Sequence, residues 1–220
     1  MIKTSYRRNL PHIHPVGATF FVTFRLQGSL PYHLIESLKE DYEIKIQEIE
    51  SSHWLDPEAE KLRQQKLFFK KYDAALDKIY NGVDHLKNPK IAKIVADKIH
   101  QYDGQYYDLL SYCIMPNHVH LLIDTSIQIQ GKDVLKITDK DYFQLDKIMK
   151  LIKGGSAFEI NKMMERNGTF WQSESYDHYV RSGKELSNII WYIVKNPLKA
   201  GLVTEWEDYE FTYYMVKDNV

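Results

Sequence analysis

The chain is 220 residues long, with 44% hydrophobic and 27% charged side chains, a composition that fits one globular domain with a real core. Its 29 basic and 30 acidic residues leave a formal net charge of −1, which argues against a generic, highly basic nucleic-acid coat but leaves room for a localised basic surface. One cysteine allows no internal disulfide, the N-terminus lacks the apolar core of a secretory signal, and no apolar run is long enough to span a membrane. The expected home is therefore cytoplasmic.

The N-terminal 25 residues carry Lys3, Arg7, Arg8 and Arg25 and no acid. His12-Ile-His14 follows, held between Pro11 and Pro15, and reads as a loop with a structural or DNA-contacting role. Residues 17–26 are aromatic and β-branched and predict a first strand, closed by Leu30-Pro31. From about 33 to 100 the apolar spacing becomes helical, with Leu34, Ile35 and Leu38 and later Leu67, Phe68, Tyr72 and Leu76. Pro57 and Pro89 divide this stretch into roughly three helices. Two apolar runs, 106–114 and 118–124, flank Met115-Pro116-Asn117, where proline and asparagine favour a turn, so a hairpin is expected. A helix over about 141–166 carries Lys147, Lys150, Lys153 and Lys162, and Gly154-Gly155 should weaken or kink it. A short strand pair is expected around 169–172 and 178–181. Ser182-Gly-Lys-Glu185 is a capping box that opens the next helix, and Asn196-Pro197 should end it. Residues from about 204 to 220 read as a C-terminal tail. The plan is α+β: an antiparallel sheet with helices packed mainly on one face, plus a helical elaboration, in a single domain spanning 1–220.

Chemistry concentrates in two places. In Met115-Pro-Asn-His-Val-His-Leu-Leu-Ile123, strand alternation turns His118 and His120 to the same side, where they can share a cation. Taken alone, the pair also fits two buried, hydrogen-bonded side chains. Imidazole accepts several divalent ions, Mn²⁺ and Zn²⁺ among them, and a Mg²⁺ site would need further oxygen ligands. Downstream, Tyr192-Ile-Val-Lys-Asn196 sets a phenol and an amide four residues apart on one face of the expected helix. With 16 tyrosines in the chain any one is usually structural; Tyr192 stands out because Asn196 would arrive at the same site. Cys113, between Tyr112 and Ile114, reads as a small core residue rather than a nucleophile.

Pro116-Asn-His-Val-His-Leu-Leu-Ile123 resembles the His-hydrophobic-His motif of single-tyrosine HUH transposases. Phe170-Trp-Gln-Ser-Glu-Ser-Tyr-Asp-His-Tyr-Val-Arg181 and Tyr192-Ile-Val-Lys-Asn-Pro-Leu-Lys-Ala-Gly-Leu-Val203 are similar to the second half of the REP-associated branch, as is the opening Arg7-Arg-Asn-Leu-Pro-His12 with Gly17-Ala-Thr-Phe-Phe-Val-Thr-Phe24. The resemblance implies an RRM-like or ferredoxin-like sheet and a divalent metal, Mg²⁺ or Mn²⁺. It also implies cleavage and joining of single-stranded DNA near hairpin repeats through a 5′-phosphotyrosine. On this match His118, His120 and Asn196 carry over as metal ligands and Tyr192 as nucleophile. By charge, Arg7, Arg8, Lys150, Lys153 and Arg181 are DNA-holding candidates. The expected partner is single-stranded or hairpin DNA, with no membrane, and the protein acts as a monomer or homodimer. A hairpin-binding protein without productive transposition is the alternative, and a hydrolase using the same metal with water as nucleophile is a third reading.

Overall fold

The computed structural model describes residues 5–7, 11–78 and 82–215, and for 5–7 and 11–12 it describes the backbone. In chain order the elements are β1 (Ser5–Arg7), β2 (Pro11–Ile13), β3 (Thr19–Arg25), α1 (Tyr32–Ser51), α2 (Pro57–Leu76), α3 (Pro89–His100), β4 (Asp108–Ile114), β5 (His118–Asp124), α4 (Leu145–Met163), β6 (Tyr176–Tyr179), α5 (Gly183–Val194), α6 (Asn196–Lys199) and β7 (Thr212–Tyr214). Contacts divide them into two compact units: residues 27–84, and residues up to 26 together with those from 85 onward.

The smaller unit is a pair of helices. Pro57 opens α2 where a helical N–H has no partner anyway, and Asp56 accepts a hydrogen bond from the Ala59 N–H at 3.0 Å. Leu30, Ala75 and Leu76 form its buried centre, with Leu34, Ile35 and Tyr72 against them, and Tyr42 packs on Phe68. The helical stretch expected over 33–100 is thus shared between the two units, because α3 packs on α4 and β4 in the larger one.

The larger unit is built on a five-stranded sheet in the order β6-β3-β5-β4-β7, every neighbour antiparallel. The fold is α+β. Its centre is the β4–β5 hairpin, clamped at the Pro116 turn: Met115 N–H donates to His118 O at 2.8 Å, Leu86 N–H to Pro116 O at 3.0 Å and Leu26 N–H to Asn117 O at 2.9 Å. One face carries Phe20, Val22, Phe24, Val119, Leu121 and Ile123 by register, all but fully buried. Trp171 packs edge-on to Phe24 and donates its indole N–H to Ser156 of α4, tying that helix to this face. The other face carries Phe21, Thr23, His118, His120 and Leu122, and α5 crosses it over β4, β5 and β7.

Four local expectations change. His12 and Ile13 lie in β2, paired with β1, because a proline at the head of a two-stranded ribbon gives up no needed N–H. The segment after 204 supplies β7, whose three residues are too few to show a period. Of the strand pair expected after α4, only β6 forms, while Trp171 makes a single bridge to Leu26. Gly154-Gly155 does not break α4; a Cβ on Gly155 would come within 3.2 Å of the Lys98 side chain, so glycine there admits the close approach of α3.

Candidate active site

The site forms where α5 crosses the polar face of the sheet. Period-two alternation on β5 brings His118 and His120, both fully buried, to that face. Their Nε2 atoms lie 3.1 Å apart. The other ring nitrogens are engaged outward: His118 Nδ1 is 2.6 Å from Asn117 Oδ1, and His120 Nδ1 is 2.8 Å from Thr23 Oγ1. With the Asn117 amide oxygen accepting from Nδ1–H, a lone pair at His118 Nε2 faces the site. Two imidazoles oriented from behind in this way are a familiar arrangement for holding an ion, and both belong to the group of described residues whose ligand atoms lie close enough to hold one.

Helix α5 starts as its sequence dictates. Ser182 Oγ accepts from Glu185 N–H at 3.2 Å, and the Glu185 carboxylate accepts from Arg181 N–H at 2.9 Å and contacts His178 Nε2 at 3.1 Å. The helix ends at Val194, and Asn196 is the first residue of α6 rather than a continuation of α5, because Pro197 has no N–H to give to the ladder. Lys199 N–H still donates to Lys195 O at 3.0 Å, so the path bends without opening. Asn196 is fully buried, its amide nitrogen 3.1 Å from His120 Nε2. Its Oδ1 is buried without a hydrogen-bond partner, and a half-turn of the amide aims that oxygen at the histidine pair. A buried orphan acceptor beside two imidazole nitrogens fits a divalent cation.

Tyr192 projects from α5 into the same place. Its ring centroid is 5.5 Å from that of His120 and 6.0 Å from that of Phe21, perpendicular to the latter. The Lys199 ammonium lies 5.7 Å from the ring centroid. Sequence reasoning missed Lys199, Thr23 and Asn117. The first was legible as the residue seven after Tyr192 on a helical path; Thr23 depends on strand order, which only the fold supplies. Cys113 pairs with His120 in register, but burial pushes its thiol up to about 12, which removes it as a nucleophile at neutral pH.

The basic candidates are elsewhere. Lys150 and Lys153 line a cavity of about 470 Å³ on the opposite face of the sheet, with Asp146, Glu174 and the buried His14–Asp177 pair, 2.9 Å apart. Lys153 is committed to the 172–175 loop, donating to Gln172 O, Ser173 O and Ser175 Oγ at 2.8–3.0 Å. Arg181 is exposed and stacks on Tyr179 at 3.9 Å. Arg7 lies in β1, and Arg8 is outside the described residues. His14 turns out to be a sheet-edge partner of Asp177, packed edge-on to Phe20.

The antiparallel sheet presents His-x-His under α5, which carries Tyr192, with Asn196 at the start of α6 beside it. The family described as Transposase IS200 like matches residues 83–196, just over half of the chain, and the protein belongs to it. The matched span includes His118, His120, Tyr192 and Asn196. The chain is 28% identical over 128 residues to a Haemophilus influenzae protein named "Putative REP-associated tyrosine transposase", covering 54% of this chain and 70% of that one. It is also similar to a solved structure of a REP-associated tyrosine transposase bound to a REP hairpin, at 17% identity and a TM-score of 0.45, over 96% of this chain and 82% of the other. No helix among the described residues is long and apolar enough to cross a membrane.

Proposed function

We propose that the protein cleaves and rejoins single-stranded DNA beside a hairpin, with Tyr192 as the nucleophile and a divalent cation, Mg²⁺ or Mn²⁺, as cofactor. The observation that carries this reading is the meeting of two distant chain segments: the paired Nε2 atoms of His118 and His120 on β5, and the 192–196 stretch, which brings the Asn196 amide to 3.1 Å from His120 Nε2 and the Tyr192 ring against His120. His118, His120 and Asn196 would hold the ion, which supplies Lewis-acid polarisation of a phosphate oxygen. The remaining work falls to the side chains. Phe21 and His120 pack against the Tyr192 ring and hold it beside the histidine pair, which limits the orientations its hydroxyl must search before attack. The phenolic oxygen bonds to phosphorus and loses its proton to solvent, the bond to the 3′ oxygen breaks, and that oxygen takes a proton from solvent to become the upstream 3′-hydroxyl. Lys199, beside the ring, offsets the charge that builds on the transferring phosphoryl group. The phosphotyrosyl ester keeps the energy of the cleaved bond, so a second 3′-hydroxyl can reverse the attack without ATP.

The substrate proposed is a hairpin with a single-stranded flank, the class implied by the resemblance to REP-associated transposases, of which one curated relative bears the name. The test uses hairpin oligonucleotides labelled separately at each end. After incubation with Mg²⁺ or Mn²⁺ and denaturation, the downstream label should travel with the protein. Attachment of the upstream fragment would overturn the 5′-phosphotyrosine assignment, two free fragments would remove a covalent tyrosine step, and hairpin binding with no cleavage would leave a binding module.

A further inference from the structure

Beside the candidate site lies a surface that the cleavage reading does not use. The solvent ridge of α5 and its extension runs through Lys184, Ser187, Asn188, Trp191 and Lys195, all exposed. Trp191 is 52% exposed, an unusual position for the largest apolar side chain, and immediately precedes Tyr192. The Lys195 ammonium lies 5.1 Å from its ring centroid, as Lys199 lies over Tyr192, so each ring of the Trp191-Tyr192 dipeptide carries a cation. Trp206 packs edge-on to Trp191 with centroids 6.3 Å apart, and Tyr214 of β7 stands against Trp206 at 5.5 Å. The result is a row of aromatic rings, Trp191, Trp206 and Tyr214, from α5 to the β7 edge, with Lys195 over its first ring, while the adjacent Tyr192 turns to the sheet side of the same helix.

We infer that this row is a stacking platform for the single-stranded DNA that flanks the cut. The inference rests on the proposed cleavage at Tyr192. Every base has a π-face, so rings with interleaved cations grip an unpaired strand regardless of sequence. A lysine–ring contact at an exposed site is weak enough to be exchanged: Lys195 moves from the Trp191 face to a backbone phosphate, and a base takes its place. A second copy of this chain is the competing occupant, but an apolar self-contact gives no use for Lys195 at the centre of the patch. The platform also explains why β7 and the turn before it, which lie beyond the family match, pack beside α5.

The experiment measures affinity for one hairpin with and without a single-stranded flank, in a Tyr192→Phe background so that binding is read without cleavage. Trp191→Leu keeps an apolar helix former and removes stacking; Trp191→Phe restores a ring. The advantage of the flanked over the blunt hairpin should fall about tenfold in Trp191→Leu and recover in large part in Trp191→Phe, with intrinsic tryptophan fluorescence quenched on adding the flanked DNA to the Trp191 protein. An unchanged ratio in Trp191→Leu, alongside normal adduct formation by the wild-type protein, overturns the platform and leaves the cleavage reading standing. A change in sedimentation from dimer to monomer in Trp191→Leu, with the ratio unchanged, also overturns it in favour of a self-contact. Absence of any adduct with the wild-type protein is the separate result that removes the cleavage reading itself.

Discussion

Thr23 and His120 sit directly opposite one another on β3 and β5, and the threonine hydroxyl is 2.8 Å from the imidazole Nδ1. The contact fixes the ring with Nε2 inward and completes, with Asn117 on His118, a rear support for the histidine pair. Thr23→Val keeps the β-branched shape and removes the hydroxyl. Losing such a contact typically weakens an ion site by about 10–100-fold. Calorimetric titration with Mn²⁺ should show that loss with little change in the thermal midpoint; an unaltered affinity would mean that packing alone orients His120.

Removing ligands should be graded. His118→Ala and His120→Ala should each abolish cation-dependent cleavage, since the two remaining donors cannot both hold an ion and orient a phosphate. Asn196→Ala should be milder, because water can take the vacated position. EDTA should reproduce the histidine variants, and Mg²⁺ or Mn²⁺ should restore the wild type. Nicking by the wild-type protein that survives chelation would sink the cation mechanism.

Tyr192→Phe removes one oxygen while keeping the ring that packs against Phe21 and His120. Cleavage of a flanked hairpin should disappear while affinity for it stays within about a factor of a few, since the ring and its packing are kept and only the attacking hydroxyl is lost. Strong residual nicking would move attention to Tyr176 and Tyr179 on β6.

Much of this was legible in the chain because the decisive signals are local. His118 and His120 need only strand parity, and the Pro116 turn announces the strand. Pro57, Pro89 and the Ser182 cap mark helix starts within a residue or two, since each acts through its own first turn. What was hidden is what depends on strand order. Thr23 lies 97 residues from His120 in sequence and supports it only because β3 lies beside β5. Lys150 and Lys153 stand out by charge, but charge does not say which face they reach; they line a cavity on the side of the sheet opposite the histidines. β7 gave no signal because a three-residue edge strand has no period to show.

Tyr107 is fully buried and donates its hydroxyl to Ile99 O, pinning α3 to the approach to β4. Burial, with Asp103 next, raises its phenol far above the ordinary value near 10, and burial pushes Tyr112 up to about 12. Both phenols are therefore still protonated in the native state at pH values where the unfolded chain has released its protons. Their contribution is fully present below pH 10 and is lost as the pH climbs towards 12, at about 1.4 kcal/mol per pH unit for each group. Urea midpoints should be flat with respect to these groups at neutral pH and fall steeply above pH 10. Tyr107→Phe leaves the Ile99 carbonyl unpaired and should cost about 1–3 kcal/mol at neutral pH. Above pH 10 its curve should fall less steeply than the wild type, so the two converge. Parallel curves across the alkaline range would show that Tyr107 does not govern the alkaline loss.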